Sequence, residues 1–203
     1  MLGALYSRGI RVQRWKVREV MRELDPVGTT LSSRGTICRR KYSVPCPNAL
    51  WHIDVNHKMI RWRFVVHTAI DGYSRLIPYV CCADNNKSDA VLTLFQNACQ
   101  SYGMCSRVRS DHSLENVGVA RMMLECRVVN RGSMIAGSSV HNQRVQRLHR
   151  DVTCGVLKRY IDDFNQMETS GLLHPINEVH LLSLHLVFLK EINKSLEEFT
   201  RQE

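Results

Sequence analysis

The sequence predicts an α/β protein: a mixed sheet of about five strands, the first three an antiparallel meander, flanked by helices. A basic helix precedes the sheet and a helical extension follows it. Three observations carry this. Between Leu50 and Ala83, three short runs rich in Ile, Val, Trp, Phe and Tyr are separated by turn-like residues. From Ser88 onward helical spacing takes over, interrupted by short strand-like runs. Before Leu50 there is only one amphipathic stretch and a polar, basic segment.

Taken in order, Arg11–Leu24 reads as a helix, with Val12, Trp15, Val20, Met21 and Leu24 at helical spacing and Arg11, Arg14, Arg18 and Arg22 elsewhere on its surface. Asp25-Pro26 ends it, because the residue before proline is pushed out of helical geometry. Val27–Pro47, with Gly28, Gly35, Pro45, Pro47 and the run Arg39-Arg40-Lys41, has linker chemistry and positive charge. Leu50–Asn56, Phe64–Asp71 and Leu76–Ala83 are the three strands, and Asp71-Gly72 marks the turn between the last two. Ser88–Tyr102 is a helix with Ala90, Leu94, Phe95, Ala98 and Cys99 on one face and Gly103 as its stop. A short strand at Ser106–Ser110, a helix at Val117–Glu125 and a strand at Ser133–Ile135 follow. A long helix from about His141 to Met167 turns Val145, Leu148, Val152, Val156, Tyr160 and Phe164 to the core. After Gly171 a last helix spans roughly Asn177–Phe199. The expected divisions are 1–26, 27–47, 48–170 and 171–203.

At 203 residues the chain can fold on one core. A 44% hydrophobic and 23% charged composition argues against wholesale disorder, and no apolar run reaches membrane-span length. The expectation is a soluble, intracellular protein. Of the +9 formal charge, +7 lies in residues 1–50. A basic arm on a near-neutral body suits a polyanion, most often nucleic acid, and charge alone leaves a solubilising tail equally open. The eight cysteines show no Cys-x-x-Cys and no finger-like His pair, which reads as reduced structural thiols rather than zinc ligands or a disulfide frame.

Two carboxylates occupy unusual places: Asp54 within the first strand and Asp111 at the end of the fourth. Adjacent strands could bring them together, and two close carboxylates repel unless a cation or a shared proton lies between them. Hard oxygen ligands suit Mg²⁺, and a metal pair can clamp the attacking and leaving oxygens of phosphoryl transfer. Taken singly, each Asp reads more readily as a strand-end or capping residue than as a metal ligand. Trp51 and Trp62 read as core, Asp71 as a turn device, and His52, His112 and His141 as packed or carboxylate-orienting histidines.

Several longer motifs go further. Leu50-Trp51-His52-Ile53-Asp54, Ile70-Asp71-Gly72-Tyr73-Ser74-Arg75, Arg109-Ser110-Asp111-His112 with Glu115-Asn116, and Val140-His141-Asn142-Gln143-Arg144-Val145-Gln146-Arg147-Leu148 stand in an order that resembles the integrase catalytic core of the ribonuclease H-like superfamily. Gly171-Leu172-Leu173 and His185–Leu189 match as well, and the likeness spans roughly residues 9–200. It is similar above all to transposon-derived integrase-core proteins of animal genomes. The resemblance implies two Asp and one Glu holding Mg²⁺ or Mn²⁺ for DNA-end processing and strand transfer. The first two positions fall on Asp54 and Asp111.

The third falls on Gln146, where the family has Glu; Ser113 replaces a usual Gly in a loop expected to need positive φ, and His149 replaces Trp. Two carboxylates would then face the metal charge instead of three. The resemblance implies double-stranded DNA as partner, contacted by Arg144, Arg147 and Arg150 on the long helix. It adds Arg11, Arg14 and Arg18 of a partial helix-turn-helix and Arg39, Arg40 and Lys41 of the linker. It further implies homo-oligomers, a nuclear location and no small-molecule cofactor. The partner helices of the first helix would precede Met1, so a truncated copy is expected. The leading expectation is a DNA-binding, catalytically impaired integrase core. The alternatives are an active polynucleotidyl transferase tolerating Gln146 with Mn²⁺, and a protein-interaction scaffold without catalysis; salt-dependent DNA affinity separates binder from scaffold.

Overall fold

A computed structural model describes residues 5, 7–26, 28–29, 42–111, 113–127, 131–137 and 142–202. The chain divides into two compact units, Met1–Tyr42 and Ser43–Glu203. In the first, helix α1 spans Arg14–Leu24. It starts three residues later than the spacing suggested, because Gln13 is extended (φ −66°, ψ 139°). It ends where Asp25-Pro26 required, and Asp25 caps the following turn by accepting the Gly28 N–H at 2.8 Å. None of its residues is buried: Trp15 is 57% and Leu24 77% exposed. Arg39, Arg40 and Lys41 lie outside the described residues.

The second unit carries a five-stranded sheet in the order β3-β2-β1-β4-β5. Its strands are β1 Trp51–Asn56, β2 Val65–Asp71, β3 Tyr79–Ala83, β4 Val108–Ser110 and β5 Met134–Ala136. The first three form the expected antiparallel meander, while β4 joins β1 and β5 joins β4 in parallel, so the sheet is mixed. β3 begins at Tyr79 rather than Leu76, since Pro78 has no N–H to offer a ladder and Leu76 instead accepts the Asp71 N–H at 2.8 Å. Asp71, 1% exposed, accepts the Asn48 N–H at 3.0 Å and both the N–H and hydroxyl of Ser74 at 2.7 Å, which makes it a turn device.

Helices α2 (Ser88–Tyr102) and α3 (Val117–Cys126) cover one face of the sheet. There Trp51, Ile53, Ala69, Val91, Phe95, Ala98, Val108, Val119 and Met123 pack into one core. α2 ends at Gly103, whose φ of 83° a side chain would resist. The buried face of α2 runs through Val91, Phe95 and Ala98; Ala90, Leu94 and Cys99 are half-buried at its margin.

The other face is covered by the long helix. It runs as α4 (Gln143–Val152), a π-helical turn (Thr153–Leu157) and α5 (Lys158–Thr169). All six predicted core residues, from Val145 to Phe164, are buried. The π turn brings Val156 and Leu157 into the core together, and at its Gly155 an added Cβ would stand 3.4 Å from the Phe199 ring. Helix α6 (Glu178–Gln202) completes this layer with Leu181, Leu184, Ile192 and Leu196. Phe164 is its aromatic centre, edge-on to Trp62 at 5.2 Å and to Phe188 at 5.0 Å and stacked on Phe64 at 5.8 Å.

Candidate active site

All six residues of β1 are buried, so every side chain must find a partner in one of the two layers. Trp51 and Ile53 go to the apolar core under α2 and α3. The alternate positions, His52, Asp54 and Asn56, meet the start of the long helix one after another. His52 Nδ1 donates to Asn142 Oδ1 at 2.7 Å, and Asn142 Nδ2 donates to the Ile53 carbonyl at 3.0 Å. Gln146 Nε2 donates to Asp54 Oδ2 at 2.7 Å. Asn56 Nδ2 donates to Thr153 Oγ1 at 3.1 Å. Two strand residues advance about 6.7 Å and four helix residues about 6 Å, so His52 and Asp54 stay matched to Asn142 and Gln146, while Asn56 reaches on to Thr153 in the π-helical turn.

Asp111 enters from the neighbouring strand. Trp51 pairs with Val108 and His52 with Arg109, and two residues further on the same register sets Asp54 level with Asp111. Asp54, Asp111 and Gln146 line one cleft of about 690 Å³, together with Lys58, His149 and Arg150. The chemistry inferred for the two Asp and Gln146 thus falls in one place. Of the helix cations, Arg147 and Arg150 are exposed and about 4.0 Å from Asp151, and Arg144 is half-buried. Arg11, Arg14 and Arg18 are exposed in the first unit, Arg11 ahead of α1. His112 and His141 lie outside the described residues.

The electrostatics follow from burial. Asp54 is 8% exposed, and desolvation pushes its carboxyl up to about 6. The negative charges of Asp111 and Glu115 push the same way, while the Val55 N–H and the Gln146 amide pull against them. His149 is buried and its imidazole is held down at about 4. Thr68 lies opposite Asp54 in the register and donates its hydroxyl to the Asp54 carbonyl at 3.0 Å. It must therefore accept the Nε2–H of a neutral His149, 2.7 Å away. Asp111 Oδ1 takes the Ser113 hydroxyl and, at 3.4 Å, the Asn116 amide. Ser113 has φ −90°, so the loop does not need the left-handed geometry expected of it, and its hydroxyl caps Asp111 instead.

The donor set fits a divalent ion poorly. A carboxylate oxygen can only accept, so at 2.7 Å the Gln146 group facing Asp54 is the NH₂, with its positive end where a cation would approach. Among the described residues no three His, Cys, Asp or Glu side chains cluster to hold an ion. Glu115 is buried and within electrostatic reach of Asp54 but does not line the cleft. Asn142, Thr68, Asn56 and Lys58 are site residues that pattern reading passed over. The signal was present for two of them, since polar His52, Asp54 and Asn56 alternate within an otherwise apolar strand and Asn142 stands one turn before Gln146.

A meander continued by two parallel strands, sandwiched between helices, with paired carboxylates at β1 and β4 and the long helix across them, defines a ribonuclease H-like integrase core. Residues 41–203 match the integrase core domain family, and the chain belongs to that family. Solved structures similar to it include the HTLV-2 integrase catalytic core domain in complex with magnesium. For its trimeric form the identity is 16%, over 76% of this chain and 86% of that chain, with a TM-score of 0.47. For the dimeric form these values are 17%, 71%, 91% and 0.44. A simian T-cell lymphotropic virus intasome in complex with PP2A regulatory subunit B56 gamma is 15% identical over 79% of this chain and 60% of that chain, with a TM-score of 0.44. No curated protein matches the chain.

Proposed function

We propose that this protein is a DNA-binding descent product of a transposon integrase whose strand-transfer chemistry is impaired at Gln146. The observation that carries the proposal is the 2.7 Å hydrogen bond from Gln146 Nε2 to Asp54 Oδ2. An amide neutralises none of the charge that two carboxylates and a third would share with Mg²⁺ or Mn²⁺, and its N–H satisfies the oxygen a metal would need. Losing even an outer partner of a metal site costs about 10–100-fold in affinity or activity, so a lost charged ligand costs at least that. Duplex DNA is the proposed partner, supported by exposed Arg147 and Arg150 on the long helix, the latter lining the cleft, and by the basic N-terminal quarter of the chain. Self-association and a nuclear location belong to the same proposal.

Three measurements test it. Isothermal titration with Mn²⁺ is expected to show no saturable millimolar site in the native chain and a gain of at least about tenfold in Gln146→Glu. Metal-dependent nicking and strand transfer are expected only in Gln146→Glu. Activity in the native chain that Asp54→Asn abolishes would overturn the impairment. Affinity for a DNA duplex is expected to fall steeply with salt, and a flat salt response sinks the DNA partner.

A further inference from the structure

The two ends of the sheet differ in charge. Toward the end that holds Asp54 and Asp111 stand Asp84 and Glu115 as well, mixed with Lys58 and Lys87. At the other end lie the segments that enter β1 (43–50), β3 (72–78), β4 (103–107) and β5 (131–133, with Arg127 ahead of them). They carry Arg75, Arg107, Arg127 and Arg131 and no Asp, Glu or Lys. Asn48, left-handed at φ 58°, ties the first three segments together. Its N–H donates to Asp71 Oδ1 at 3.0 Å, its Nδ2 donates to the Tyr102 carbonyl at 2.8 Å, and its carbonyl accepts the Ser106 N–H at 2.7 Å. Arg127 and Arg131 join the fourth, the one donating to the Met104 and Cys105 carbonyls at 2.8 and 2.9 Å, the other to the Ser106 hydroxyl at 3.0 Å.

Two arginines on this frame are unspent. Arg75 and Arg107 are exposed, and among the described residues their side chains make no ion pair or hydrogen bond. Arg75 also keeps φ 69°, a geometry uncommon for any residue but glycine. Arg63, the other arginine held this way, uses its side chain on Glu178, whereas Arg75 has no such use among the described residues. Two phenol rings belong to the same frame. Tyr73, 54% exposed, stands two residues before Arg75 in the turn that Asp71 holds, and Tyr102, 43% exposed, is fixed through its carbonyl to Asn48.

We infer that this end of the sheet binds single-stranded nucleic acid, with Arg75 and Arg107 on phosphates and Tyr73 and Tyr102 as platforms for unpaired bases. Unpaired cations with no acid among them select a polyanion. The exposed rings select a single strand, because a duplex keeps its base faces stacked on one another, while a strand offers them to aromatic side chains. The surface shares no residue with the duplex contact proposed at Arg147 and Arg150, and it stands or falls separately from that contact.

The full chain is to be titrated onto a fluorescein-labelled oligothymidylate of about 20 nucleotides, read by anisotropy, with a duplex of the same length in parallel. Tyr73→Ala with Tyr102→Ala is expected to weaken the strand at least about tenfold and the duplex less than about twofold, with unchanged far-ultraviolet circular dichroism. Tyr73→Phe with Tyr102→Phe keeps both rings and is expected to keep the native affinity for the strand. Arg75→Ala with Arg107→Ala is expected to lower the slope of log affinity against log salt for the strand by about 1.4, two phosphates at about 0.7 each. Strand affinity and salt slope that stay native in both alanine pairs overturn this surface, whatever the duplex does. A strand released instead by Arg147→Ala with Arg150→Ala is held at the long helix, which overturns it too. Equal losses of strand and duplex in the tyrosine pair overturn the selection of unpaired bases.

Discussion

Strand β1 is buried on both sides, and its two faces are built from opposite chemistry. Trp51 and Ile53 look into an apolar core, where Trp51 lies edge-on to Phe95 at 5.7 Å and its Nε1 donates to Asn48 at 2.9 Å. His52, Asp54 and Asn56 look at the long helix, through a seam of hydrogen bonds that also includes Thr68 and His149. The apolar face gains by removing hydrocarbon from water, which is insensitive to pH. The polar face gains only what its pairings return against desolvation, and it contains three groups held away from their ordinary protonation behaviour, with burial lowering His52 and His149 and raising Asp54. The strand is thus anchored on one side and held electrically adjustable on the other.

The largest effect expected from breaking this contrast is on the apolar side. Trp51→Ala removes a fully buried indole, and the cavity and lost transfer energy together cost about 3–5 kcal/mol. Denaturant titrations should show that loss with the same size at pH 8 and pH 5. A loss that varied with pH would mean the two faces are coupled rather than separate.

The next effect belongs to His149. Its folded pKa of about 4 lies below the ordinary histidine value near 6.5, so above pH 6.5 both states are neutral and it costs nothing. As pH falls from 6.5 to 4 the unfolded chain takes up a proton that the folded chain refuses, and stability drops by about 3 kcal/mol across that window. His149→Gln keeps an N–H for Thr68 and cannot be protonated. Its stability relative to the native chain should rise by that amount between pH 7 and pH 4, measured by urea midpoints at each pH. A constant difference would place the His149 imidazole in contact with solvent.

How much of this was legible in the sequence differs between the two faces for a physical reason. Apolar periodicity is a local signal, and it placed the meander, α2 and the core side of the long helix from Val145 to Phe164. It did not reveal the π turn at Thr153–Leu157, which leaves the apolar spacing on either side of it unbroken. Nor did it start β3 at Tyr79, because apolar spacing counts side chains and not the ladder N–H that Pro78 lacks. In the seam, Asp54 and Asp111 stood out by their strand positions and Gln146 through family likeness, whereas Asn142 and Thr68 were passed over. Asn142 carried a local signal, one turn before Gln146, but the role of Thr68 arises from a pairing across 14 residues that no local pattern encodes. Ser113 was misjudged because a glycine's place was read as a backbone need, when what the loop uses is a hydroxyl on Asp111.

The smallest effect sharpens the contrast within the polar seam. Asp54 is shifted in the opposite sense to His149: its folded pKa of about 6 lies above the ordinary carboxyl value near 4. Above pH 6 the folded state must carry a desolvated charge that the unfolded state carries freely. That penalty shrinks as pH falls through 6 and is gone below about 4, where both states are protonated. Asp54→Asn removes the charge but cannot satisfy both donors facing it, since one of its two terminal atoms becomes an NH₂ directed at Val55 or Gln146. The lost hydrogen bond offsets part of the relief, so a net gain of about 1 kcal/mol is expected at pH 8, declining to a small loss at pH 4. In the native chain the Asp54 and His149 titrations oppose each other between pH 6 and 4 and nearly cancel there. Asp54→Asn should therefore leave His149 uncompensated and make stability fall more steeply with acid than in the native protein. If the two curves run parallel, the Asp54 carboxylate is already compensated by a cation, and the Gln146 amide is not what holds it.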